Sequence, residues 1–569
     1  MATIPIVVKH SGKKYDVEVD TTANGETLKY QLYSLTGVEP ERQKILVRGG
    51  PLKDEADMSK LAFKPGQIIM MMGSPADGSA TLTRPKEAIK FVEDMTEAEA
   101  AQQEGATPAG LINLGNTCYL NSTLQTLRSI PELQQSLTTY KAKGPTPRPV
   151  QGSLGLQPVS QADLATPLVD LYKMMAETQD SVAPHTFLTV LRSVYPQFAE
   201  KSKQGNGFAQ QDAEEAWSQI VSQLKQRLGE GKDSSFIDKY MAGAMTSTLE
   251  ADEQDARDGG EETSKSTETF FKLNCHIDGT INHLRDGIAA GLTEKIEKRS
   301  AVLDRDTNFT KKSQISRLPK YLTVHFVRFF WRRDTQKKAK IMRKVVFPHE
   351  LDAVEFCNDE LKSMLIPVRD KVREIRKDEE DVQRARKRRK INANDRGDVA
   401  GSSGAPQEKT ALEKANEKKA PVSQLPKVSG DGDTEMTETY KTDAEFDAER
   451  DASLLTLKKE LDGLINPALR QDEGANQSGL YELRGVVTHQ GSSADSGHYT
   501  AYVKKEGRVD PKTGKRGEED GNWWWFNDDK VSEVPSTSID ALAGGGESHS
   551  ALILLYKAIP LPTAEEPSS

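Results

Sequence analysis

The run Gly110-Leu-Ile-Asn-Leu-Gly-Asn-Thr-Cys118-Tyr-Leu-Asn-Ser-Thr-Leu-Gln125 restricts the chain more than any other stretch. A turn-forming Gly115-Asn116 pair stands just before Cys118. Leu120, Leu124 and Leu127 then follow at the spacing of one helix face, which predicts Cys118 in a first helical turn. Unpaired backbone N–H groups and the positive end of the helix dipole favour a thiolate there, and a thiolate is a nucleophile. Asn113, five residues upstream, is placed to donate its side-chain amide to the oxyanion formed when sulfur attacks a carbonyl. A lone cysteine is more often a buried structural residue, so a catalytic Cys118 needs partners elsewhere.

Those partners lie near the other end of the chain. His498 follows the small-residue stretch Gly491–Gly497 and opens the strand-like run Tyr499–Val503. As the protonated member of an ion pair with Cys118 it would act as base and then as acid for a leaving amine. Trp525-Phe-Asn527-Asp528 supplies Asn527 to orient the imidazole. Asn stabilises imidazolium less than a carboxylate does, so Asp528 is a second candidate for that role. His489, across the glycine-rich stretch, is a rival base.

The chain has 569 residues, 36% of them apolar, enough for more than one domain. Its net charge of −9 is the wrong sign for a general nucleic-acid binder, and a nucleic-acid role is not expected. The three cysteines are widely spaced and none forms a CxxC pair, so neither a disulfide framework, a metal site nor another cofactor is predicted. No long apolar stretch suggests a signal peptide or a membrane span, and a soluble intracellular protein is expected, with no membrane partner.

Residues 1–75 read as ββαββ. Ile4, Ile6 and Val8 alternate, as do Tyr15, Val17 and Val19 after Ser11-Gly12. A helix from about Asn24 carries Leu28, Leu32 and Leu35 on one face and ends at Gly37, and strands return at Lys44–Val47 and Ile68–Met72. Order and length resemble ubiquitin. That resemblance makes Leu46, Ile69 and Met71 the candidate receptor-binding patch, and the absence of a diglycine end makes the domain a docking module.

Residues 76–108 read as a flexible linker. The remainder is helical to about residue 230, with helices expected at Pro131–Thr138, Asp163–Glu177, His185–Ser193 and Gln210–Leu228. Beyond Phe270 it is strand-rich, notably at Tyr321–Phe330, Leu480–Val487, Tyr499–Val503 and Leu552–Tyr556, an α+β pattern. Disordered insertions are predicted at about 250–268 and 372–450, and a disordered tail at 559–569. The second insertion holds Arg384-Ala-Arg-Lys-Arg-Arg-Lys390, a nuclear localisation signal, a nucleic-acid patch or a solvated helix face.

Five motifs in order, spanning residues 110–556, resemble the ubiquitin-specific protease family. They are the cysteine box Gly110–Ser122, Gln210-Gln-Asp-Ala-Glu-Glu-Ala-Trp217, Arg317–Phe330, the box Ser496-Gly-His-Tyr499 with Trp525–Asp529, and Ile553-Leu-Leu-Tyr556. The resemblance implies a papain-like catalytic domain over 109–558 behind a β-grasp ubiquitin-like domain. It implies thiol-dependent hydrolysis after the C-terminal glycine of ubiquitin, with ubiquitin and ubiquitinated proteins as partners. Ubiquitin-binding roles fall on Gln211, Asp212, Phe330, Ser496, Gly497 and Tyr499. The chain lacks the paired CxxC motifs that give many members a zinc finger. The combination with an N-terminal ubiquitin-like domain resembles the family's proteasome-associated members. It implies docking on the 26S regulatory particle, cytoplasmic and nuclear location, and two loops, Phe330–Lys340 and Gln490–Gly497, that cover the cleft until activation. The competing reading is a non-catalytic adaptor that binds proteasome and ubiquitin.

Overall fold

The computed structural model describes residues 3–10, 13–47, 50–61, 63–73, 96–97, 106–140, 163–202, 207–229, 235–332, 337–397, 443–493, 496–507, 517 and 519–563. The chain divides into two compact units, Met1–Met95 and Thr96–Ser569.

In the first unit β1 (Thr3–His10) and β2 (Lys13–Asp20) pair as an antiparallel hairpin with Ile6 opposite Val17 and Val8 opposite Tyr15. Helix α1 (Gly25–Thr36) starts where Asn24 Oδ1 accepts from the Thr27 N–H, and stops at Gly37, whose φ of 70° no β-carbon opposes. With β3 (Lys44–Val47), β4 (Gly50–Pro51) and β5 (Gln67–Met72) the sheet order is β2-β1-β5-β3-β4, and β1 and β5 run parallel. This is a β-grasp domain, its sheet wrapped on Leu28 and Leu32 of the helix. Leu35, expected on that inner face, is 41% exposed.

The exposed patch on β5 is offset by one residue from the expected one. Ile69 and Met71 are buried at 4% and 2%, whereas Ile68, Met70 and Met72 are exposed. Because successive strand residues point to opposite faces, a phase error of one residue exchanges core for surface. Leu46 is exposed as expected and lies opposite Met70.

The second unit begins with helices. They are α2 (Cys118–Arg128), α3 (Pro131–Thr139), α4 (Ala165–Glu177), α5 (His185–Val194) and α6 (Ala213–Arg227). Strands β6 (Gly243–Ala251), β7 (Ser264–Phe270), β8 (Leu273–His276), β9 (Thr293–Arg299) and β10 (Asp306–Arg317) follow. Of these, β7-β6-β10-β9 make a four-stranded sheet. The remaining strands are β11 (Tyr321–Val327), β12 (Phe329–Arg332), β13 (Lys337–Lys340), β14 (Glu350–Asp352), β15 (Leu480–Ser493), β16 (Ser496–Lys504), β17 (Asn522–Asn527), β18 (Lys530–Pro535) and β19 (Ser550–Ala558). They form a second sheet along the path β18-β17-β16-β15-β19-β11-β8.

That second sheet is covered on both faces. Ile553 and Leu555 pack among the helices α2–α6, while Leu554 and Tyr556 pack into a second core with Phe326 and Trp523. Double coverage explains why β19 reads as an almost unbroken apolar run. Each fully buried Leu or Ile on it contributes about 2 kcal/mol.

The stretch 250–268 is ordered, and so are the described ends of 372–450, residues 372–397 and 443–450. Residues 250–268 hold the end of β6, a short helix Gln254–Asp258 and most of β7. Their Ser, Thr and Glu side chains serve as bonding partners instead of signalling disorder. Glu253 takes hydrogen bonds from Arg305 and Thr307, and Glu261 from Ser300. Most of 372–450 that is described belongs to two long helices, α7 (Asp359–Gly397) and α8 (Asp443–Leu464). Val368, Val372 and Ile375 pack on Leu461, and ion pairs Lys371–Glu460, Lys458–Glu379 and Arg386–Asp451 run along the seam. The stretch 398–442, most of the linker and the end of the tail lie outside the described residues.

Candidate active site

Cys118 is the first residue of α2, as the sequence predicts. The turn before it is unusual: Gly115 has φ 94° and Asn116 φ 56°. Asn tolerates this left-handed region better than most residues, and the turn is held by fixed partners. Asn113 Oδ1 accepts from the N–H groups of Gly115 and Thr117 at 3.0 and 3.1 Å. Asn116 Nδ2 donates to the Phe208 carbonyl at 3.0 Å.

The sheet delivers the partners. Strand β16 lies against α2, and the Tyr499 N–H donates to the Cys118 sulfur. The neighbouring His498 has Nε2 2.5 Å from Asn527 Oδ1, at the end of β17. An amide oxygen only accepts, so with this pairing Nε2 carries the proton and Nδ1 is the basic nitrogen. The structure thus brings Cys118, His498 and Asn527 together from opposite ends of the second unit.

Asp528 takes a different part from the one predicted. Its φ of 54° turns the chain so that Oδ2 accepts from Asn113 Nδ2 at 2.9 Å and Oδ1 from Asn121 Nδ2 at 2.8 Å. It therefore fixes the oxyanion candidate and not the imidazole. One Asn113 amide hydrogen is committed to this bond, and the second is carried on an exposed side chain. The backbone approach is close: the Leu111 N–H donates to the Asp528 carbonyl at 2.9 Å. A β-carbon at Gly110 would sit 2.4 Å from the Asp529 oxygen. Asn121, one turn along the helix from Cys118, received no role from the sequence, although its spacing was visible.

The thiol itself departs from expectation. Cys118 is only 3% exposed. Burial, helped by the Asp528 carboxylate, pushes its pKa up to about 11 against the lowering effect of the surrounding N–H groups. Desolvation outweighs the helix terminus, which favours the thiol over the thiolate in this conformation. His489 is no rival base. It is fully buried, edge-on to Phe329 and Tyr499, and burial with the Lys340 charge pushes its pKa down to about 3. Lys340 Nζ is itself buried and donates to the His489 carbonyl at 2.6 Å. His549, which the sequence did not single out, has its ring 6.4 Å from that of His498 and is driven to about 4 by burial.

The predicted binding residues divide. Phe330, Ser496 and Gly497 are exposed on the rim. Gln211 is half-buried, and Asp212 caps α6 through the Glu214 N–H at 2.9 Å. Tyr499 is fully buried, so its ring is core and only its backbone reaches the site. Gln210, to which the sequence assigns no binding role, has its Nε2 buried without a partner among the described residues. The two stretches expected as loops are hairpins, β12–β13 and β15–β16, bridged at Ala339 and Ser493. Residues 333–336 and 494–495 of them lie outside the described residues.

Fold and site together define a cysteine hydrolase of the Cys–His–Asn kind, carried behind a ubiquitin-like domain. The model of the ubiquitin carboxyl-terminal hydrolase family matches residues 109–556, and that of the ubiquitin family residues 6–76. The chain is 42% identical over 558 residues to ubiquitin carboxyl-terminal hydrolase 6 of Schizosaccharomyces pombe, covering 98% of this chain and 99% of that one. It is 36% identical to ubiquitin carboxyl-terminal hydrolase 6 of Arabidopsis thaliana, covering 97% and 98%. It is 31% identical to ubiquitin carboxyl-terminal hydrolase 14 of Caenorhabditis elegans, covering 98% and 94%. The chain belongs to the ubiquitin carboxyl-terminal hydrolase family, and it is a cysteine-type deubiquitinase.

Proposed function

We propose that the protein trims ubiquitin from proteasome-bound substrates, with Cys118 as nucleophile, His498 as base and acid, and Asn527 as the group that orients the ring. The observation that carries this reading is the contact of the Tyr499 N–H with the Cys118 sulfur beside the His498–Asn527 pair. His498 takes the thiol proton as sulfur attacks the carbonyl of ubiquitin's last glycine. The oxyanion forms against Asn113, and the proton passes to the leaving amine. Water then hydrolyses the thioester. Ser496, Gly497 and Phe330, which are exposed, receive the extended tail together with Gln210–Asp212.

The docking surface we assign to the first unit is Leu46, Ile68, Met70 and Met72, with Lys9 and Lys44 beside it. An exposed apolar group of this kind on a single sheet face suits a receptor on the proteasome regulatory particle. We place the protein in cytoplasm and nucleus, the latter on the strength of the Arg384–Lys390 run.

The test is to incubate the protein with ubiquitin bearing a C-terminal electrophile, with and without purified proteasome. An adduct on Cys118 that forms faster with proteasome supports both parts of the reading. Equal labelling in both conditions removes activation by proteasome. No adduct in either condition overturns the assignment of Cys118.

A further inference from the structure

Phe208 lies between the helices and the catalytic turn, and the chemistry described so far gives it no part. Its ring is half-buried, with the Arg192 guanidinium carbon 3.6 Å and the Lys201 ammonium 4.0 Å from its centroid. Neither cation has an ion pair among the described residues, so the ring is a principal electrostatic partner for both. The backbone around it is pinned as well. Lys201 and Phe208 form a β-bridge, and the Ala209 N–H donates to the Glu200 carbonyl at 2.8 Å. The one Phe208 group that leaves this clamp is its carbonyl, which accepts from Asn116 Nδ2.

Asn116 holds the left-handed conformation two residues before the nucleophile. Such a conformation persists only where the surroundings over-determine it. Asn113 Oδ1 fixes the turn from inside through Gly115 and Thr117, and the Phe208 carbonyl fixes it from outside. Arg192 ties the same assembly to α2. Its Nε donates to the Phe198 carbonyl at 3.2 Å, and the Phe198 ring stacks on Tyr119, the residue after Cys118.

We propose that Phe208, gripped by Arg192 and Lys201, is a positioning residue that holds the Asn116 turn in register with Cys118. This rests on the cysteine-hydrolase reading. Because the turn acts where charge develops, its loss falls on the chemical step and not on substrate capture.

The test measures kcat and KM on a fluorogenic ubiquitin amide for the full-length chain and for Phe208→Leu, Phe208→Trp, Arg192→Met and Phe208→Leu/Arg192→Met. Wild-type turnover that depends on Cys118 must be seen first, with purified proteasome added to every reaction; its absence there refutes the hydrolase reading itself. The expected result is a fall in kcat of about five- to tenfold for Phe208→Leu, the size of one partly buried cation–π contact, with KM within twofold. Phe208→Trp restores kcat, Arg192→Met matches Phe208→Leu, and the double variant is no worse than either. Unchanged kcat, a loss confined to KM, or losses that simply multiply would overturn the proposal. If Phe208→Leu does not fold, the kcat of Arg192→Met decides alone.

Discussion

Cys118 sits where two opposed effects meet, the helix terminus that favours charge and the burial that disfavours it. With a pKa near 11, its thiolate fraction below pH 9 rises tenfold per pH unit. We therefore expect the rate of Cys118 alkylation by iodoacetamide in the free protein to climb about tenfold per unit from pH 6 to 9 without a plateau, read by mass spectrometry. A plateau near neutrality would mean that a preformed ion pair dominates. Asp528 offers a second test. Its carboxylate accepts from both Asn113 and Asn121. The amide of Asp528→Asn has a single acceptor oxygen, so one of the two donors is lost. We expect kcat to fall about 100-fold, comparable to the loss of an oxyanion donor, with the melting temperature lowered by only a few degrees. Cys118, His498 and Asn527 were legible because each sits at an element boundary marked by small or turn-forming residues. The task of Asp528 was not, since it depends on a left-handed backbone that no spacing announces.

Among the elements, the two-residue period of β5 makes a sharp distinction. Met70→Glu should leave the first unit folded and abolish docking, whereas Met71→Glu, which buries a charge among Ile6, Ile45 and Leu32, should unfold it, as circular dichroism of residues 1–75 would report. Equal behaviour of the two would contradict the sheet orientation. In the β15–β16 hairpin, a β-carbon at Gly497 would fall 2.1 Å from the Gln490 carbonyl oxygen at a φ of 128°. Gly497→Ala is thus expected to displace the strand carrying His498 and lower kcat/KM by at least about 100-fold, since misplacement by about 1 Å has that effect. The strands and helices with clear periodicity were readable in advance. The polar strand β7 was not: six of its seven residues are exposed, so no alternation exists to be read, and edge pairing with β6 holds it. In α7 the apolar spacing of Val368, Val372 and Ile375 was present but obscured by surrounding charges.

For the whole molecule, the separate cores of the two units imply separable stability. A chain of residues 96–569 should keep the melting transition of the catalytic unit and its hydrolysis of a fluorogenic ubiquitin amide, and lose only the proposed proteasome binding, as pull-down would measure. The sequence order of the domains was plain because the composition changes abruptly around the linker. What joins residues 110–122 to residues 496–528 across some 400 positions could be recognised only by motif, because the physical link is a sheet whose strands are distant in the chain. The buried thiol carries a consequence of another kind, which concerns ageing. Peroxide oxidises thiolates far faster than thiols, so a resting molecule with Cys118 protonated and covered keeps its sulfur reduced through an oxidative episode. A molecule whose Cys118 became exposed and ionised for turnover would have no such shelter, and the population lost to sulfinic acid would be the part that was working.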